Sequence, residues 1–333
     1  MFTAIRHLAP IWQMGLIILT MLLAASVLVG ALRLTASQKD YAELSARVRS
    51  WWVMAVIFFG AVAAPNYVSL VFFAFLSFWA MKEYVTLLKT RPADHRGLVL
   101  TFLAIPIQYF WIGSGWYGMF IIFIPVYMFL ILPARLVFSK ETAGFVASAS
   151  QIQWGLMAFV FGLSHLGFLL VLPNVGLQLG PEAWSSIASI GGAAASASGV
   201  NGRTLLLFLV FVVEISDVLQ YVWGKTLGRR KIIPQVSPNK TWEGFLGGIA
   251  SATLLSLAIR FLTPFSAPET ILVSLLITLA GFCGGAVMSA VKRDFGVKDF
   301  GGLIPGHGGM LDRVDSLCYA APIFFHYVRY FHY

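Results

Sequence analysis

Residues 269–290 read ETILVSLLITLAGFCGGAVMSA, a run whose one charge, Glu269, stands at its beginning. A helix needs about 20 predominantly apolar residues to cross a bilayer, so this run reads as a membrane span. Nine further apolar runs lie at 10–32, 50–64, 67–88, 98–113, 116–134, 152–173, 204–223, 242–263 and 316–331, with the ones at 50–64, 98–113 and 316–331 on the short side. The expected fold is therefore all-α: a polytopic integral membrane helical bundle of about ten transmembrane helices. Composition agrees. The chain is 59% apolar and 11% charged, with a mean hydropathy of +0.82, far outside the range of soluble domains.

Basic residues suggest an orientation. Eighteen of the 23 Lys and Arg fall on alternate loops, around 33–49, 89–96, 135–140, 225–240 and 292–313. By the positive-inside rule these loops are expected in the cytoplasm and both termini outside. The net charge of +9 is divided among these short loops, which fits anionic headgroups better than nucleic acid, and no nucleic-acid partner is expected. Cys283 and Cys318 lie in apolar runs and imply neither a disulfide nor a thiolate metal site. The first run is longer than a signal peptide's apolar region and has its stronger positive flank on the C-terminal side, so its retention as a span is expected. A stretch of small residues within 174–203, including SSIASIGGAAASASG, reads as an external loop or a partly inserted segment. It divides an N-terminal bundle of about six spans, residues 1–200, from a C-terminal region, 201–333.

The polar chemistry is concentrated in that second region. Residues 289–315 read SAVKRDFGVKDFGGLIPGHGGMLDRVD, with Lys292, Arg293, Lys298 and Arg313 among Asp294, Asp299, Asp312 and Asp315. Cations, carboxylates and a glycine-rich turn together suit a triphosphate bound through a divalent metal. An ordinary positive loop would not need four aspartates. A second block, 217–248, reads DVLQYVWGKTLGRRKIIPQVSPNKTWEGFLGG and begins within an apolar run. Glu214, just before it, and Asp217, Tyr221 and Lys225 share one helix face, and a polar contact within the bundle is at least as good a reading of Glu214 as a functional one. Ionised groups inside spans usually face protein or water.

Both blocks resemble the signatures of the phosphatidate cytidylyltransferases, also called CDP-diacylglycerol synthases. Ser289, Lys292, Arg293, Lys298, Asp299, Gly301, Ile304, Pro305, His307, Gly308, Gly309, Asp312, Arg313 and Asp315 fit the first signature, and Asp217, Tyr221, Lys225, Ser237, Pro238 and Lys240 through Gly244 the second. The resemblance covers roughly the last 130 residues. It implies an enzyme that transfers cytidylyl from CTP to phosphatidate, with Mg2+ as cofactor and an active site on the cytoplasmic face of a bacterial inner membrane. Asp312, Lys292, Arg293, Asp299, Asp217 and Asp315 would be catalytic, and Asp312, Asp217, Asp299 and Asp315 would hold the metal. Ser289, Lys298, His307, Gly308, Gly309, Arg313, Lys225, Ser237 and Lys240 would bind substrate. For His307, anion binding, proton handling and a structural role stay open. Expected partners are CTP, the lipid phosphate and membrane lipids, with self-association into a homo-oligomer left open. The chain departs from the pattern at Gly284-Gly285, where a Gly-Asp pair is expected, and at Met288 and Gln220. A paralogous branch acting on another membrane lipid phosphate is thus the first alternative, and a non-catalytic transporter or assembly factor the second.

Overall fold

A computed structural model of the protein describes residues 8–35, 42–138, 141–175, 200–303 and 308–333. Ten long helices run through them: α1 (Pro10–Thr35), α2 (Ala42–Ala63), α3 (Asn66–Leu87), α4 (His95–Gly113), α5 (Tyr117–Val137), α6 (Phe145–Val175), α7 (Gly202–Leu227), α8 (Trp242–Ala258), α9 (Ala267–Asp294) and α10 (Leu317–His332). No β-strand occurs among the described residues; one antiparallel bridge, Lys231 to Thr241, closes the loop between α7 and α8. Eight helices are long and apolar enough to span a membrane; α8 and α10 are shorter, at 17 and 16 residues. The chain is thus the all-α polytopic membrane bundle expected from its hydropathy. The two early runs that looked short are extended by polar ends, to Ala42–Ala63 and to Pro92–Gly113. The small-residue stretch at 176–199 lies outside the described residues.

Local chemistry sets the ends of the C-terminal helices. Asn201 caps α7, its side chain accepting from the N–H groups of Arg203 and Thr204. Thr241 caps α8 by accepting from Gly244 N at 3.1 Å, and Ser266 with Glu269 forms a capping box at the start of α9. In the N-terminal half, α5 and α6 each contain a π-helical turn, Phe123–Met128 and Leu156–Gly162. Buried glutamines serve the α5 carbonyls at and before its turn: Gln108 donates to Phe120 O at 3.1 Å and Gln153 to Ile124 O at 3.3 Å. A single apolar core runs through both halves, from Phe73 and Phe159 to Val213, Ile277 and Phe324.

Glycines bring the motif-bearing helices together. A Cβ on Gly244 would stand 2.7 Å from Gln220 O and 2.9 Å from Gly224 Cα, so α7 and α8 touch backbone to backbone. On α9 a Cβ at Gly284 would stand 2.8 Å from Asp315 O, which lets the segment leading into α10 lie directly on α9. Small residues at helix crossings serve this purpose in membrane bundles.

Candidate active site

The close crossings of α7, α8, α9 and α10 place the polar residues of both sequence blocks side by side. Asp217 lies ten residues before the end of α7, about 15 Å into the bundle at 1.5 Å per residue. Its Oδ2 accepts from Ser316 Oγ at 2.7 Å, and the same hydroxyl lies 3.3 Å from Asp315 Oδ1. Ser316 N also donates to Asp315 Oδ1 at 2.7 Å. A hydroxyl has one proton, which the shorter contact assigns to Asp217. Asp217 Oδ1 and Asp315 Oδ2 receive no hydrogen bond from the described residues.

Lys240 enters from the loop ahead of α8. Its Nζ donates to Phe282 O at 3.4 Å and stands 4.3 Å from the centre of the Phe282 ring. It also occupies the space beside Gly285, 3.3 Å from where a Cβ would be, with Ser316 Oγ 3.5 Å from that point. Burial lowers the Lys240 ammonium from its ordinary value, while the charges of Asp217 and Asp315 oppose that shift. The missing acidic side chain at 285 thus leaves room that a cation fills.

Lys292, on the last turns of α9, pairs with Asp312 at 2.7 Å, the aspartate buried and the lysine partly so. The second Asp312 oxygen, Oδ2, accepts from Phe300 N and Gly309 N, each at 2.9 Å. Asp312, expected from the resemblance to lead the metal ligands, therefore has both oxygens engaged by protein, and it ties α9 to the loop after it. Gly308 adopts φ +80°, and a Cβ there would fall 2.8 Å from Asp312 Oδ2 and 3.1 Å from Asp299 Cβ. Only glycine suits that conformation and that space.

The other expected residues are spread around this centre. Arg293 joins the two blocks: its Nε donates to Val236 O at 3.4 Å and its Nη1 to Val297 O at 3.2 Å. Arg313 is half-buried with its charge felt at Glu214, Asp217 and Asp315. Its Nε is buried with no hydrogen-bond partner among the described residues. Ser289 turns its hydroxyl back to Gly285 O at 2.7 Å, and Ser237 closes the loop turn through its backbone, N to Ile233 O at 2.8 Å. Lys225, Lys298 and Asp299 are exposed, with no ion pair joining them to Asp217 or Asp315 among the described residues. His307 lies outside the described residues.

One residue in this arrangement stands apart from both sequence blocks. Glu83 of α3 accepts from Met310 N at 2.9 Å and Leu311 N at 2.8 Å, immediately before Asp312. Its only sequence signal is a charge within a long apolar run.

No group of three or more His, Cys, Asp or Glu among the described residues could hold a metal by itself. The two free oxygens of Asp217 and Asp315 do suit Mg2+, which takes one or two carboxylates and completes its shell with water and substrate phosphates.

Comparison with known proteins follows this geometry. The sequence profile of the cytidylyltransferase family matches residues 45–331. The chain is 42% identical over 289 residues to the uncharacterized protein YnbB of Escherichia coli (strain K12), covering 86% of this chain and 88% of that one. It is 41% identical over 125 residues to phosphatidate cytidylyltransferase of Staphylococcus aureus (strain COL), which is 37% of this chain and 48% of that enzyme. The enzyme of the same name from Staphylococcus haemolyticus (strain JCSC1435) is 38% identical over the same coverage. The similarity thus spans about half the length of those enzymes.

Proposed function

Because this chain belongs to the cytidylyltransferase family, we propose that it transfers the cytidylyl group of CTP to phosphatidate, giving CDP-diacylglycerol and pyrophosphate. One observation supports the reading above all: the two blocks, with Ser316 just beyond the second, bring together Asp217, Asp315, Lys240, Lys292 and Asp312, a partly buried set of cations and oxygen ligands within the bundle. A phosphate oxygen of the lipid would attack the α-phosphorus of CTP, and the bond from that phosphorus to the oxygen bridging to the β-phosphate would break. The lipid phosphate is already anionic at neutral pH, so no strong base is needed. The work left to the protein is to bring two anions together and to balance charge on the leaving pyrophosphate.

In this proposal Asp217 and Asp315 would hold Mg2+, which when bound would neutralise triphosphate charge. Lys240 and Lys292 meet the phosphates, and Arg293 and Arg313 add charge near them. Asp312 orients Lys292. Lys225 and Lys298, exposed near the mouth, meet CTP as it arrives, and Asp299 with Gly308 shapes the entry. The positive-inside bias of the basic loops supports a cytoplasmic position for this face, where CTP is found, in a bacterial inner membrane.

A second reading keeps the chemistry with another lipid phosphate as acceptor. It is favoured by Gly285, whose neighbouring space is filled by Lys240. Purified protein incubated with labelled CTP, Mg2+ and separate lipid phosphates decides between them. Formation of CDP-diacylglycerol from phosphatidate is expected; a liponucleotide formed only from a polyprenyl phosphate would select the second reading, and none from any acceptor would reject both.

A further inference from the structure

Glu83 lies outside both sequence blocks, on a helix of the N-terminal half, and is 7% exposed. Its carboxylate is filled by donors. Oε1 accepts from Met310 N at 2.9 Å and from Trp79 Nε1 at 3.1 Å, and Oε2 accepts from Leu311 N at 2.8 Å. Two glycines enclose it: a methyl on Gly301 would stand 2.8 Å from Oε1, and one on Gly309 would stand 2.8 Å from Cδ. No Lys, Arg or His pairs with it among the described residues.

This is an unusual place for a charge. Burying a carboxylate is unfavourable unless its oxygens are well bonded, and an apolar residue often serves stability as well or better. Two of the three bonds to Glu83 go to one short segment, the N–H groups of residues 310 and 311. That segment opens the helical turn Leu311–Val314, which carries Asp312. Asp315 and Ser316 follow directly. The geometry points to Glu83 as a positioning residue for cytidylyl transfer: it fixes the turn from which Asp312 reaches Lys292 and beyond which Asp315 and Ser316 meet Asp217. The inference rests on the proposed function for its kinetic consequence, and on geometry alone for its structural one. It gives the N-terminal bundle a part in the site, and it gives Gly301 and Gly309 a reason to be glycine other than contact with phosphate.

The test uses the purified full chain. Glu83→Gln keeps the shape and replaces one acceptor by an amide NH2 that faces N–H groups. Hydrogen exchange at the amides of residues 310 and 311 is expected to accelerate about tenfold or more, the equivalent of one lost charged hydrogen bond, while α9 and α10 stay protected. kcat, measured with whichever lipid phosphate accepts cytidylyl, should fall by about tenfold or more for the same reason, with little change in KM for CTP. Unchanged exchange and unchanged kcat would overturn the inference. If Glu83→Gln does not fold, Gly301→Ala decides: its methyl presses on the carboxylate and should both accelerate exchange at the amides of residues 310 and 311 and lower kcat. Unchanged exchange and unchanged kcat in Gly301→Ala would equally overturn it. Exchange is read without substrate. A protein that transfers cytidylyl to no lipid yet shows the accelerated exchange would therefore fail the functional proposal and not this positioning contact.

Discussion

Asp312 has one oxygen on the Lys292 ammonium and the other on two backbone N–H groups, so its carboxylate organises more than it exposes. Asp312→Asn would leave a buried ammonium unpaired and turn an amide donor toward either that ammonium or the N–H pair. Turnover is expected to fall by on the order of a hundredfold, as for other lost charge-organising groups, with the protein still inserted in the membrane. Near-normal turnover in a magnesium-supported assay would show that the pair is not needed. Lys240 offers a second test. An aspartate introduced at Gly285 would start 3.3 Å from its ammonium and would neutralise it before meeting any metal. Lys240→Ala should therefore raise the KM for CTP or lipid in the parent chain and change it much less in a Gly285→Asp chain. The coupling energy expected from this double-mutant cycle is about 1 kcal/mol or more. Additive effects would separate Lys240 from position 285.

At the level of elements, the crossing of α7 with α8 decides where Lys240 can reach. Gly244 has no room for a side chain against Gln220 O and the Gly224 backbone, and neither backbone can yield without moving its helix. Gly244→Ala should thus destabilise the detergent-solubilised protein by about 1–3 kcal/mol, the usual range for overpacking, seen as a lower midpoint of thermal unfolding. An unaltered midpoint would mean that the helices separate freely at this crossing. The family resemblance put Thr241, Trp242, Glu243 and Gly244 in one motif, and the packing supplies distinct reasons for three of them. Thr241 caps α8, Glu243 accepts from the N–H groups of Arg229 and Arg230, and Gly244 lets α7 approach.

For the whole molecule, the distribution of Lys and Arg predicts which ends of the helices face the cytoplasm. In a chain with Cys283→Ala and Cys318→Ala, single cysteines in place of the exposed Arg229 and Asp294 should resist a membrane-impermeant thiol reagent in intact cells, whereas Gly180→Cys should react. Labelling of the first two from outside would invert the orientation and separate the site from its CTP. The bundle itself lies within that frame as one packed body. Its core includes residues of both halves, and Glu83 connects the N-terminal half to the segment that begins at Met310.

The sequence by itself determined that the chain is a bundle of apolar helices and that the polar residues of its C-terminal region concentrate in residues 217–248 and 289–315. Both are properties of neighbouring residues: the length of an apolar run sets whether it can span a bilayer, and residue types at fixed spacing make a motif. Tertiary structure alone decided which of those residues meet. Asp217 and Ser316 are 99 positions apart, and Glu83 and Met310 are 227 apart. Such pairs form only where glycine-lined crossings let helices from distant parts of the chain touch. The same packing turned Ser289 back on its own helix, engaged both Asp312 oxygens and filled the gap at Gly285 with Lys240. A buried polar atom must find its partner among whatever the fold places within about 3 Å, and chain order does not set that neighbourhood.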